Sequence, residues 1–197
     1  YTHTPEQVRA IKRLSSFEAK TFVLHGVTGS GKTEVYMTMI EKVIKLGKTA
    51  IVLVPEISLT PQVLSNFRAR LGENVAILHS GLSSGERYDE WRKILNGEAK
   101  VVVGARSAIF APIKNIGLIV IDEEHETSYN SESNPRYKTH EVAKFRATYN
   151  NCSLILGSAT PSISPYFSVM IGESELLELP TRTNQKEMPQ IQIVDML

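Results

Sequence analysis

The stretch Gly26-Val-Thr-Gly-Ser-Gly31-Lys32-Thr33 leaves few folds open to this chain. A glycine, four residues and then Gly-Lys-Thr is the spacing of a loop whose backbone N–H groups converge on an anion. Such a loop needs glycines for unusual dihedrals and close approach, and a helix whose positive end begins at the loop. The flanks supply the rest, because the apolar run at 21–25 reads as a strand and the residues from Lys32 onward read as a helix. Gly26, Val27, Thr28, Gly29, Ser30 and Gly31 are therefore candidates for a phosphate cradle. Lys32 is placed to neutralise the β and γ phosphates of ATP, and the Thr33 hydroxyl to ligate Mg²⁺.

A strand, a phosphate loop and a helix form the first unit of a longer alternation. Short apolar runs at 21–25, 49–54, 75–78, 100–103, 117–121, 153–156 and 175–179 are separated by segments of helical period. The pattern predicts an α/β fold, with a mostly parallel central sheet of about seven strands and helices on both faces. Capping boxes at Thr4 to Gln7 and Ser83 to Glu86 mark helix starts, and Gly47, Gly72 and Gly97 mark helix ends. Composition turns polar between Pro180 and Gln190, which predicts a compact domain over 1–180 and a linker over 181–197. The closing run Ile191-Gln-Ile-Val-Asp-Met-Leu197 reads as strand-like, and a chain opening on Tyr1 is expected to be a piece of a longer protein.

The apolar run at 117–121 ends in Asp122-Glu123-Glu124-His125. A buried strand rarely ends in three carboxylates unless a cation waits at its tip. Ligands of parallel sheets bind at the carboxyl ends of the strands, so these acids are expected to face the phosphate loop. Asp122 is the expected holder of the Mg²⁺ shell, and Glu123 the general base that aligns and deprotonates the attacking water. Lys32, Asp122 and Glu123 make up the predicted catalytic set. Ser158 and Thr160 stand after the strand at 153–156, where hydroxyls can touch the acidic cluster; His125 is expected to bond one of them rather than act as a base.

Composition narrows the classes of function. Lys and Arg number 22 against 21 Asp and Glu, and a net charge of +1 excludes a polycation that holds nucleic acid by bulk charge, so any such contact must be local. The single cysteine excludes a disulfide framework and fits a reducing compartment, with the cytosol as the expected location. No apolar run approaches the roughly 18 residues of a membrane helix, and no leader opens the chain, so no membrane partner is expected.

Taken in order, these motifs resemble the first motor lobe of superfamily 2 helicases, a RecA-like phosphate-loop fold. The segments Gly26 to Tyr36, Leu53 to Gln62, Leu78 to Ser83, Glu86 to Trp91, Val103 to Pro112, Asp122 to Glu126, Pro135 to Tyr137 and Gly157 to Pro161 are similar, more narrowly, to the PriA-type replication-restart helicases. The resemblance implies a 3′→5′ DNA helicase that binds single-stranded and forked DNA and works with primosome proteins and single-strand-binding protein. It implies ATP and Mg²⁺ as cofactors, with zinc only in parts of such proteins beyond this chain. Under it Gln7 matches the glutamine that reads adenine, with closure of a capping box as its competing role. Pro55, Glu56, Ser58, Ser80, Gly104, Arg106 and Ser107 fall in segments that hold one DNA strand by its phosphates.

The polar loop over 126–138 resembles the family's aromatic-rich loop, in which Tyr129 and Tyr137 would be stacking platforms and Arg136 a charged relay to the ATP site, alongside His125, Ser158 and Thr160. Thr139-His140 departs from the expected Ala-Arg. The arginine finger belongs to a second lobe, so the chain alone is expected to bind Mg·ATP weakly, hydrolyse it slowly and unwind nothing. Two rival readings stand beside this one: another superfamily 2 motor acting in repair or on RNA, and a phosphate-loop ATP switch without translocation.

Overall fold

The computed structural model describes residues 3–132 and 134–183. Seven strands form one sheet: β1 (Thr21–Gly26), β2 (Thr49–Leu53), β3 (Val75–Leu78), β4 (Val101–Gly104), β5 (Ile116–Ile121), β6 (Ser153–Ser158) and β7 (Ser174–Leu179). Their order is β3-β4-β2-β5-β6-β1-β7, and every pairing is parallel. The expected strands are all present, with ends displaced by at most two residues and full parallelism in place of a mostly parallel sheet.

Six α-helices accompany the strands among the described residues: α1 (Pro5–Leu14) before β1, then α2 (Lys32–Lys45), α3 (Pro61–Leu71), α4 (Ser84–Leu95), α5 (Thr139–Tyr149) and α6 (Ile163–Met170). Both predicted capping boxes form, Thr4 with Gln7 and Ser83 with Glu86, each worth about 1 kcal/mol. Gly47, Gly72 and Gly97 have positive φ, as helix ends closed by a left-handed residue require. The start of α2 differs from these helices. Its N-cap is Gly31 at φ 79°, and no side chain accepts from its first-turn N–H groups.

Alternation along the strands divides the interior in two. In β2, Ala50 and Val52 face the core under α1, α2 and α3, while Ile51 and Leu53 face the core under α5 and the residues around Ile109. In β5, Leu118 and Val120 face the first core and Ile119 and Ile121 the second. With both faces covered, each central aliphatic side chain contributes about 1.5–3 kcal/mol of burial, and the strand tips cannot shift separately.

Register sets those tips level. Leu24 pairs with Gly157 and His25 with Ser158, while Ile121 pairs with Leu156. The phosphate loop, the acidic turn and Ser158 therefore leave the sheet side by side. At the edge, β7 pairs with β1 up to Gly26 and Leu179, and the chain then returns over the loop, where Thr183 donates its N–H and its hydroxyl to the Gly29 carbonyl at 3.0 and 3.1 Å. The remainder of the expected linker and the strand-like run at 191–197 lie outside the described residues. No helix among the described residues is long and apolar enough to cross a membrane.

Candidate nucleotide site and nucleic-acid groove

The phosphate loop is built for close approach. A Cβ at Gly31 would fall on the Gln7 amide, and Gly29 and Gly31 hold φ of 82° and 79°. Lys32 is buried and donates to the Gly26 carbonyl at 2.9 Å, with its ammonium 3.7 Å from Glu123 Oε1. Ser30 Oγ is buried without a hydrogen-bond partner. An orphaned hydroxyl, an uncapped helix start and a glycine-walled cradle together fit a phosphate group. A cavity of about 1010 Å³ opens beside the loop, lined by Gln7, Gly31, Thr33, Tyr36, Asp122 and Thr183 among others.

Asp122 follows β5 into this cavity. Its N–H donates to the Leu53 carbonyl at 2.9 Å, and its Oδ1 accepts from the Tyr36 hydroxyl at 3.0 Å and the Glu123 N–H at 3.1 Å. Burial, followed by the neighbouring Glu123 charge, pushes its carboxyl up to about 6, so a cation beside it would relieve an unfavourable negative charge. Glu123 takes the left-handed region at φ 44°, a costly conformation for a residue with a Cβ. That turn sets its two oxygens 3.7 Å from Lys32 Nζ and 3.7 Å from His125 Nδ1. No group of three or more His, Cys, Asp or Glu among the described residues is arranged to hold a metal; Mg²⁺ would take the Thr33 hydroxyl, Asp122 and phosphate oxygens.

The neighbouring strand tip is joined to the acids. His125 Nδ1 lies 2.8 Å from Ser158 Oγ, which also accepts the Thr160 N–H at 3.0 Å. Glu124 is buried and accepts the Ser162 N–H at 2.7 Å and the Ser162 hydroxyl at 2.9 Å, with His140 Nε2 at 3.4 Å. Burial alone would push its carboxyl up, but the His140 and Ser162 contacts outweigh it and hold the group below the usual range. Neither Glu124 nor Tyr36 is singled out by sequence. The signal for Tyr36 was its position one turn beyond Thr33, and Gly157 is what accommodates it, since a Cβ there would fall on the Tyr36 hydroxyl.

Four of the expected site residues are engaged by the protein itself or placed elsewhere. Gln7 is buried, with Oε1 accepting the Thr4 N–H at 3.0 Å and Nε2 donating to the Ser30 carbonyl at 2.9 Å, so its amide is engaged by the cap and the loop. Tyr129, expected to stack on a base, is 1% exposed and donates its hydroxyl to the Asp122 carbonyl at 2.7 Å; a ring enclosed to that degree has no face to offer. Ser58 lines the nucleotide cavity, and Gly104 is buried at the end of β4, where its carbonyl accepts the Val54 N–H at 3.0 Å.

A second cavity, of about 480 Å³, lies beyond the tips of β2, β3 and β4. Pro55, Glu56, Ser80, Arg106 and Ser107 line it, as do Arg87 and Trp91 of α4. Glu56 accepts the Ser80 hydroxyl. Arg106 faces the groove, yet its guanidinium donates to the Ser128 and Asn130 carbonyls at 3.1 and 2.6 Å and lies 5.8 Å from the Tyr137 ring. Tyr137 in turn meets Phe110 edge-on at 4.9 Å. Arg106 is thus a tether between the groove and the loop after the acids, and Arg136 is exposed on that loop.

The family model for DEAD/DEAH box helicases matches residues 4–167. The chain belongs to the DEAD/DEAH box helicase family. It is 58% identical over 183 residues to the replication restart protein PriA of Bacillus subtilis (strain 168), covering 93% of this chain and 23% of that protein. Against PriA of Synechocystis sp. the identity is 47% over 199 residues, covering 98% and 24%. The chain therefore spans about a quarter of the length of these curated relatives. Among solved structures, a hypothetical ATP-dependent RNA helicase from Sulfolobus tokodaii superposes with a TM-score of 0.67 at 23% identity, covering 90% of this chain and 53% of that one. RecG bound to a three-way DNA junction gives 0.61 at 22%, covering 96% and 24%.

Proposed function

We propose that this chain is the ATP-binding lobe of a 3′→5′ DNA helicase that couples ATP hydrolysis to translocation on single-stranded or forked DNA in replication restart. The level tips of β1, β5 and β6 carry the reading, because they join Lys32, Glu123 and the His125–Ser158 pair in one connected cluster beside Asp122, which lines the nucleotide cavity. Mg²⁺, when bound, neutralises the charge that develops on the phosphates. Lys32 leaves the Gly26 carbonyl for the β and γ phosphates, and Thr33 and Asp122 would hold the metal. Glu123 accepts a proton from water as the water oxygen bonds to the γ phosphorus and the β–γ bridging oxygen leaves with ADP. Gln7 reads adenine by giving up its bond to the Ser30 carbonyl.

Pro55, Glu56, Ser80 and Ser107 form a groove for phosphates, and Arg106 relays its occupancy through Ser128 and Asn130 to Tyr129, whose hydroxyl holds the backbone of Asp122. Residues 1–180 form the lobe, 181–197 lead to a second motor lobe that brings the arginine finger, and zinc belongs to other parts of the parent. The setting is the bacterial cytosol, with single-strand-binding and primosome proteins as partners. The test is ATP turnover by the full-length parent with no nucleic acid, single-stranded DNA, forked DNA or RNA. Stimulation by DNA and not RNA is expected; turnover indifferent to every strand would leave an ATP switch, and stimulation by RNA alone would leave an RNA motor.

A further inference from the structure

Helix α4 is almost entirely exposed, with Ile94 its buried residue. Four residues apart and so on one side of the helix, Arg87 and Trp91 line the second cavity opposite Pro55 and Ser107. Trp91 is the single tryptophan of the chain, is 38% exposed, and belongs to neither hydrophobic core. An indole outside both cores keeps more than a third of its surface free for a further contact, and it lines a space shared with Leu78, Ala105, Ser80 and Ser107. The cations of the cavity differ in what they can still do. Arg106 is committed to the Ser128 and Asn130 carbonyls, whereas Arg87 makes no ion pair among the described residues.

We infer that α4 is the base-contacting wall of the groove: Trp91 stacks on one nucleobase of a single strand while Arg87 binds an adjacent phosphate. This rests on the reading of the cavity as a strand-binding groove and deepens it. The segments read from sequence hold phosphates by backbone and hydroxyl groups, which cannot tell a base from its absence. An indole beside them can, because every base has a face to stack and stacking is tolerant of sequence.

Because Trp91 is the only tryptophan, its fluorescence reports on the contact directly. The chain is titrated with an end-labelled thymidine oligonucleotide of about twelve nucleotides and with an abasic strand of equal length, with label anisotropy giving binding and indole emission giving stacking. Concentrations reach about 1 mM, beyond the usual range of sequence-independent binding. Saturable quenching by the thymidine strand is expected, with no quenching and about tenfold weaker binding for the abasic strand. Trp91→Ala should lose about tenfold in affinity for the thymidine strand and nothing for the abasic one, and Trp91→Phe should keep most of it. Arg87→Ala should lower the salt dependence of binding by about one phosphate contact. Binding without quenching, or equal loss on both strands, overturns the stacking role and leaves the groove intact. No change in anisotropy overturns the groove reading, and the inference with it.

Discussion

The nucleotide cavity and the groove lie at the same end of one sheet, but they are built in opposite ways. Around the first, buried side chains interlock: Tyr36 with Asp122, Glu124 with Ser162, Gln7 with the Ser30 carbonyl. Around the second, exposed residues of α4 face short turns, and the one firm tether, Arg106, reaches away to the adjoining loop. Phosphoryl transfer depends on atoms held to fractions of an ångström, whereas a strand that slides must be released as readily as it is held. Rigidity in one and openness in the other suit the roles proposed for the two cavities.

The sharpest way to break the contrast is Glu123→Gln. Turnover by the parent should fall at least about a hundredfold with nucleotide binding retained; binding and turnover falling together would make Glu123 a structural part of the loop's pairing with Lys32. Gly157→Ala comes next. Its added methyl falls on the Tyr36 hydroxyl, so the chain should lose about 3 kcal/mol or more in denaturant unfolding, and Tyr36→Phe in the same chain should restore part of that loss. An unchanged midpoint would show that the interlock is looser than the groove.

Asp122→Asn separates catalysis from stability. The folded carboxyl is raised to about 6 from 3.8, chiefly by burial, so the acid favours folding only while protonated. That contribution is fully present below about pH 4 and is lost as pH rises through 6. Without Mg²⁺, the amide should therefore stabilise the chain by about 2–3 kcal/mol at pH 8 and by little at pH 4. An equal effect at both pH values would remove burial of the charge as its cause. Arg106→Lys is the smallest change: a point charge cannot span two carbonyls as the guanidinium fork does, so stability should fall by under about 1 kcal/mol, while amide exchange in residues 127–130 quickens. Exchange left unaltered would deny Arg106 its tethering role.

The sheet was legible because each strand is a short apolar run and each connection carries its own caps, so local chemistry and tertiary structure agree. The phosphate loop and the acids were legible for a similar reason, being contiguous motifs. Contacts between distant segments were not. Nothing near Tyr36 announces that Gly157 leaves room for its hydroxyl, and Tyr129 sits in a stretch without aliphatic residues that reads as solvated, although Thr139 bonds its carbonyl at 2.7 Å and His140 meets its ring edge-on at 5.8 Å. Spacing places Arg106 at the groove but cannot reveal which carbonyls its guanidinium will find. Nor does spacing reveal that Gly104 lets β4 close against Leu78.

The bonds from Thr183 to Gly29 make the phosphate loop a mechanical joint. The Gly29 carbonyl and the Ser30 N–H belong to one planar peptide and must turn together. That carbonyl accepts twice from Thr183, and that N–H donates to the Val27 carbonyl at 2.9 Å. Rotating this single plate to aim its N–H elsewhere breaks all three bonds at once and frees the strand's outgoing chain, while a pull on that chain is transmitted to the plate. The loop and the exit from β7 thus act as the two arms of one lever.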